Sequence, residues 1–313
     1  MSDSGAATSI AVLGGDAREI IMADLLCRDG FDVATYGLGP AAYESIGPDD
    51  GLAGVAELEA NSVLEAVAGR RWLLCPAPGL GDGDVVYAPY ARTPIPLNEG
   101  VLRASDVVKG GIVLGRASSS LLALADAVQT TVYQTKDDEA LRVRVATAAA
   151  EGLLAVLVGR TDQVLRDQRV LVLGYGATGS ALADRLVLLG TRVTVAARRE
   201  ESLARAEQHG ALPVAFDDRA AAMADATVIV NTVPSTSSMP VAALKELDGC
   251  LVIDIASPPG GTDHVAAQAA GCPVTWIRGV AGERAPRTAG DLQYRFVRRV
   301  IDSHWRRQSG RLQ

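Results

Sequence analysis

The segment VLVLGYGATGSALADRLVLLG (170–190) sets Gly174, Gly176 and Gly179 in a G-x-G-x-x-G spacing, between an apolar run and an amphipathic one. Strand, tight turn and helix in that order make a dinucleotide-binding turn. Gly174 forms the turn, Gly176 lets the main chain approach a pyrophosphate, and Gly179 lets the helix lie against the strand. Ala177 and Thr178 open the helix, where main-chain N–H groups face negative phosphates. The next strand ends in VTVAARREE (193–201). An NAD site keeps an acid there for the ribose hydroxyls, but this chain has Arg198 and Arg199. An arginine fork pairs with a 2′-phosphate, so the spacing points to NADP in preference to NAD. The competing reading makes both arginines the start of an exposed helix.

Two further loops lie where that cofactor would meet its substrate. Asn231, Thr232, Val233, Pro234 and Ser235 close one strand, and Ala256 and Ser257 follow the next, within DIASPPGGTD (254–263). Strand carboxyl ends line the ligand crevice of open α/β sheets, which places both loops on the nicotinamide side. Asn231 and Ser235 can offer hydrogen bonds there, and Asp254 a polar anchor. The second loop can equally be a structural turn. His209, His264 and His304 are scattered, and His264 and His304 lack the neighbours of a His-based dehydrogenase. Cys27, Cys75, Cys250 and Cys272 show no C-x-x-C spacing and read as core residues, so no metal site is expected.

These residues need a scaffold, and 313 residues suit two domains. Apolar runs alternate with amphipathic stretches twice over, the rhythm of doubly wound α/β sheets. SIAVLGGDA, FDVATYG, RWLLCPAP and GIVLG read as strands of the first half. RVLVLG, RVTVAA, ALPVAF, ATVIVNTV, CLVIDIA and PVTWIR make six for the second, a full Rossmann dinucleotide-binding domain. From Asp137 a long helix with Leu141, Val145, Leu153 and Leu157 on one face is expected, broken near its middle. Leu292, Phe296 and Val300 mark a C-terminal helix that returns to the first domain. The expected division is 1–135, an α/β substrate-side domain; 136–284, the NADP-binding domain with its linker helix; and 285–313, the returning helix.

Composition narrows the role. The net charge of −7 argues against a nucleic-acid surface, and the basic run 298–311 reads as a solvated helix face. No apolar stretch has the length of a membrane span, and MSDSGAATS lacks a leader's basic and apolar regions. A cytoplasmic homo-oligomer is the expectation.

LGGDAR (13–18), LGYGATG (173–179), NTVPS (231–235), DIASPPGGTD (254–263) and APRTAG (285–290) occur in the order and spacing of the A subunits of bacterial dipicolinate synthases. The chain resembles that family over nearly its full length. The resemblance implies NADP-linked oxidation of a dihydrodipicolinate-type ring to pyridine-2,6-dicarboxylate, and the partner it implies is a small flavoprotein-like B subunit. Arg18, Arg284, Arg287 and Thr288 suit a dicarboxylate substrate, since arginine forks match carboxylates. Asp16 can orient Arg18 or accept a proton, and Glu151 and Asp263 are further candidate bases.

The chain departs from the family's pattern on the substrate side. AAAEG (148–152) stands for a Pro-Thr-x-Glu-Gly run, Pro258 for a basic residue before PGG, and GVAGE (279–283) for a loop reading LPG. Two alternatives follow: a dehydrogenase of another cyclic imine or small carboxylate, and a non-catalytic NADP-binding protein with a regulatory or scaffold role.

Overall fold

The computed structural model describes residues 8–39 and 53–310. The chain divides into two compact units, residues 1–142 with 285–313, and residues 143–284. Residues 1–7, which carry most of the N-terminal stretch MSDSGAATS, lie outside the described residues, as does Arg311 at the end of the basic run.

Among its described residues the first unit holds five parallel strands, β1 (Ser9–Leu13), β2 (Asp32–Tyr36), β3 (Trp72–Leu74), β4 (Gly111–Leu114) and β5 (Val132–Gln134), in the order β2-β1-β3-β4-β5. Strands β3 and β4 are buried throughout and β1 from Ile10 onward, as expected of parallel strands covered on both faces. Strand β5 is not legible in the sequence pattern: it has three residues, all half-buried, at the sheet edge. Helix α1 (Ala17–Arg28) follows β1, and α2 (Ser119–Ala127) follows β4.

Helix α3 (Glu139–Arg160) is continuous. The break expected near its middle does not occur, because the Ala148–Ala150 run favours helix and Gly152 is held by packing. A Cβ on Gly152 would stand 3.0 Å from Arg284 Cβ and from Val280 Cγ2. The division between units falls inside this helix, after Arg142.

The second unit holds six parallel strands: β6 (Arg169–Leu173), β7 (Arg192–Ala197), β8 (Leu212–Ala215), β9 (Val228–Asn231), β10 (Leu251–Asp254) and β11 (Val274–Trp276). Their order, β11-β10-β9-β6-β7-β8, is that of a complete Rossmann sheet. Helices α4 (Ala177–Leu188), α5 (Glu200–Gln208), α6 (Arg219–Asp225), α7 (His264–Ala269) and α8 (Val280–Arg284) accompany it. Leu171, Leu173, Ile229, Val252, Phe216 and Met223 are among its core residues.

The C-terminal helix α9 (Pro286–Gly310) belongs to the first unit and packs along α1. Ala289, Gln293, Phe296, Val297, Val300 and Ile301 are buried on its inner face. Its basic residues are not all solvated: Arg298 is half-buried, pairs with Asp29 and lies over Phe31, while Arg299, which pairs with Asp138, is exposed. The two helices approach closely at Gly290, where a Cβ would stand 2.7 Å from both the Arg18 carbonyl oxygen and Ile21 Cβ. Gly290→Ala is expected to cost about 1–3 kcal/mol by overpacking, read as a lower midpoint in urea or thermal unfolding. An unchanged midpoint would show that α9 has room to slide.

Candidate functional site

The strand order of the second sheet fixes where a ligand enters. After β6 the chain runs outward through β7 and β8, then crosses back to lay β9 on the other side of β6. Loops leaving the carboxyl ends of β6 and β9 diverge, and the crevice between them is the binding position of such sheets.

Gly174, just after β6, has φ +95° and donates its N–H to the Ala196 carbonyl at 2.9 Å. A Cβ there would meet Thr232 Oγ1 at 2.5 Å and Val233 Cγ2 at 2.8 Å. A Cβ on Gly179 would stand 2.1 Å from the Gly174 carbonyl oxygen. Protein contacts thus require both glycines. At Gly176 a Cβ would meet nothing within 4 Å, so main chain lies open there. Gly176 caps α4 without a side-chain hydrogen bond, and the first turn contains no acid. The helix start, with Ala177 and Thr178, is therefore positive and accessible, which fits a pyrophosphate.

Tyr175, between the first two glycines, is buried and anchors the turn. Its hydroxyl donates to Asp184 Oδ1 at 2.6 Å and lies 3.3 Å from His209 Nδ1, while His209 pairs with Asp184 at 2.9 Å. Burial and the Asp184 carboxylate both push the phenol pKa upward, keeping Tyr175 a neutral donor. The turn is thereby tied to α4 and to the residue that ends α5.

Arg198 and Arg199 follow β7 directly and are exposed; Arg199 caps α5 without a side-chain bond. The Arg198 guanidinium lies over the Phe216 ring at 5.1 Å, and Arg219 lies over the same ring at 4.5 Å. Arg219 also donates to the carbonyls of Phe216, Ser237 and Ser238. Arg198 is thus seated on an aromatic face at a strand's carboxyl end.

The loops after β9 and β10 are knitted to one another. Asn231 is buried, donates from Nδ2 to the Val233 carbonyl and to Asp254 Oδ1, and accepts from Val233 N–H. Its amide shapes the loop, in which Thr232, Val233 and Ser235 are half-buried and Pro234 is exposed; the Ser235 hydroxyl pairs with Ser237 at 2.8 Å. Asp254 is fully buried and accepts from Ala256 N–H, Gly261 N–H and His264 Nε2 besides Asn231. His264 therefore does not lack an acidic neighbour, contrary to the sequence reading. The pair spans the intervening loop, with His264 stacked on Trp276 at 4.3 Å and Trp276 Nε1 donating to the Ala256 carbonyl. Ser257 is exposed, and Asp263 caps α7 through Ala266 N–H.

In the first unit Asp16 caps α1 in a reciprocal capping box with Glu19. Asp16 also takes the Arg18 fork, Nε to Oδ1 at 2.8 Å and Nη2 to Oδ2 at 2.7 Å. Arg18 is 4% exposed. Burial alone would lower its pKa, but the Glu19 and Asp16 carboxylates outweigh that and raise it. Glu19, 1% exposed, is pushed up to about 7 by burial, against the pull of Arg18. Burial also pushes the Cys75 thiol up to about 12, so it is inert as a nucleophile.

The remaining candidates are spread over both units. Glu151, exposed on α3, lies 3.7 Å from Arg185, and Arg284 on α8 pairs with Glu283. Arg287 and Thr288 are exposed on the first turn of α9, one turn before Gly290 and its contact with Arg18. Asp16 and Arg18 are thus brought together, with the start of α9 close by, while Glu151 and Asp263 stand in other settings.

Residues 9–135 match the family model of the N-terminal domain of the dipicolinate synthase A subunit. The A subunit of dipicolinate synthase from Bacillus subtilis (strain 168) is 25% identical over 295 residues, covering 93% of this chain and 95% of that protein. The chain is thus similar to dipicolinate synthase A subunits over nearly its full length. Residues 169–258 match the model described as NADP oxidoreductase, coenzyme F420-dependent, which makes the second unit an NAD(P)-binding oxidoreductase domain. A crystal structure of the Bacillus halodurans A subunit shares the fold at TM-score 0.81 and 24% identity, over 94% of this chain and 98% of that one. The Bacillus subtilis structure gives 0.74 at 22% identity, over 98% of this chain and 100% of that one. Among the described residues no helix is long and apolar enough to cross a membrane.

The buried Glu19 generates a pH prediction. Its folded-state pKa lies above the ordinary 4.5, so the folded protein binds the extra proton between those values and loses stability as pH rises through about 7. Glu19→Gln keeps an acceptor for the Asp16 N–H and carries no charge. The melting temperature of the variant minus that of the parent should grow between about pH 5 and about pH 8. A difference that stays flat over that range contradicts the assignment.

Proposed function

We propose that the chain oxidises a dihydropyridine-2,6-dicarboxylate, a cyclic imine, to pyridine-2,6-dicarboxylate with NADP as oxidant. The observation that carries the cofactor choice is Arg198, exposed at the carboxyl end of β7 and seated on Phe216. A guanidinium held there recognises a 2′-phosphate by charge-assisted hydrogen bonds, with Arg199 as second cation. Gly176 and the N–H groups of Ala177, Thr178 and Gly179 hold the pyrophosphate. Thr232, Val233, Pro234 and Ser235, with Ala256 and Ser257, flank the nicotinamide. The bound cofactor supplies the hydride acceptor, and the chain's own residues bind, orient and neutralise charge.

Cations and the similarity to dipicolinate synthase A subunits support the substrate. In the first unit Arg287 and Thr288 at the start of α9 bind a carboxylate, and Arg18 presents positive charge in an orientation set by Asp16; in the second unit Arg284 is a separate candidate cation. Asp16 acts on Arg18 and not as a base, because both of its oxygens are engaged by that fork. The proposed partner is a small flavoprotein-like B subunit. One observation favours a second reading: Pro258, exposed, stands where the family carries a basic residue. A related cyclic imine with different substituents would suit that loop.

Arg198→Ala should weaken NADPH binding about 10- to 100-fold, equivalent to about 1.5–3 kcal/mol, and leave NADH binding nearly unchanged, read by calorimetry. Equal losses for both cofactors would remove the 2′-phosphate role. The activity is tested by mixing pyruvate, aspartate semialdehyde and the enzyme that condenses them with this protein and NADP, in one arm alone and in the other with the B subunit. NADPH absorbance and the pyridine dicarboxylate signal should rise together, and fall at least about tenfold in Arg287→Ala through loss of a charged hydrogen bond. Intact NADPH binding with no product in either arm contradicts the substrate.

A further inference from the structure

We propose that His264 is the general base of the reaction, accepting the ring proton at Nδ1, with Asp254 as the residue that positions it. The proposal rests on the dihydropyridine reading above. Its starting point is a carboxylate with no capacity to spare. Asp254 Oδ1 accepts from Asn231 Nδ2 at 2.8 Å and Ala256 N–H at 3.0 Å, and Oδ2 from Gly261 N–H at 2.7 Å. The fourth contact, His264 Nε2 at 2.8 Å, completes the set. A carboxylate holding four donors has no oxygen lone pair free for a proton from a ligand. It does hold the imidazole in one tautomer, with the proton on Nε2 and the lone pair on Nδ1.

That second nitrogen has no partner among the described residues. The ring stacks on Trp276 at 4.3 Å with 2° between planes, and Trp276 is fixed in turn through Ala256. Gly260 makes the space: a Cβ there would stand 2.7 Å from His264 Nε2. The ring can neither flip nor withdraw, and 19% of the side chain stays open. Asn231 and Asp254 sit at the carboxyl ends of β9 and β10, the side on which an open α/β sheet binds its ligand, and His264 opens the helix that follows β10. A partly exposed imidazole with one nitrogen on a buried carboxylate and the other without a hydrogen-bond partner is the arrangement of a proton acceptor.

The chemistry balances. A dihydropyridine becomes a pyridine by losing one hydride and one proton from two ring positions. The hydride carries away the electron pair of one C–H bond and reduces the oxidised nicotinamide. The proton leaves the other C–H bond for His264 Nδ1, and the electron pair of that bond stays to complete the aromatic ring. The imidazolium then returns its proton to water.

Two measurements test this, and they fail separately. In the ligand-free protein, nitrogen NMR of the three histidines, with His264 assigned through His264→Gln, should show the Nε2–H tautomer at His264. An Nδ1–H tautomer overturns the proposal whatever the substrate is. In the coupled assay His264→Gln, which can still donate to Asp254, should lower kcat by about 10²–10⁴-fold with KM and NADPH affinity little changed. Added imidazole should restore part of the rate to His264→Ala, which a merely structural role would not allow. A parent enzyme that turns over while His264→Gln keeps its kcat overturns the base and leaves the substrate standing. A parent enzyme that binds NADPH and turns over nothing overturns the dihydropyridine reading and this proposal with it.

Discussion

The contact between Gly174 and Thr232 is the point on which the second unit depends. It sits where strand order reverses, with β6 on one side and β9 on the other. Because Thr232 Oγ1 occupies the space beside Gly174 and also donates to the Leu173 carbonyl, the chain must leave β6 through a left-handed turn. That turn aims α4 so that its uncapped start faces the crevice. Tyr175, Asp184 and His209 lock the turn from behind, and Gly176 leaves its front bare. An anion site therefore follows from how two parallel strands part, before any charged side chain is considered.

Both units handle buried charge in the same way, by saturation. In the first, Asp16 caps α1 and grips Arg18, so two charges are buried with their hydrogen bonds made. In the second, Asp254 gathers four donors from the β9 strand end, its own loop and α7, and welds the β9 and β10 loops together. Removing one partner of a buried ion pair costs about 3–5 kcal/mol, because the other is left charged and unpaired. These carboxylates act through what they hold still. Glu19 is the exception, a buried acid whose desolvation outweighs the pull of Arg18 and holds its proton up to near neutrality.

The cofactor side is legible in the sequence because its signals are local. Glycine spacing, six apolar runs and two arginines after the second run can all be read along the chain without knowing any long-range contact. What escapes a linear reading is made across distance or by partial burial. Tyr175 meets His209 from 34 positions away, and His264 reaches Asp254 over a ten-residue separation, so neither histidine shows its partner along the chain. Strand β5 is too short and too exposed to stand out. The continuity of α3 is hidden because the α8 side chains packed against Gly152 are more than a hundred residues on. The arginines proposed to bind carboxylates are visible as types, but nothing in their spacing says that Asp16 already holds the Arg18 fork.

The most direct test is a crystal structure of the protein with NADP and pyridine-2,6-dicarboxylate. The pyrophosphate should lie over Gly176 at the start of α4, the 2′-phosphate should bond to the Arg198 guanidinium, and the nicotinamide should lie beside the loops that follow β9 and β10. A dinucleotide bound with its 2′-phosphate turned away from Arg198, or the dicarboxylate seated away from the nicotinamide, would contradict it.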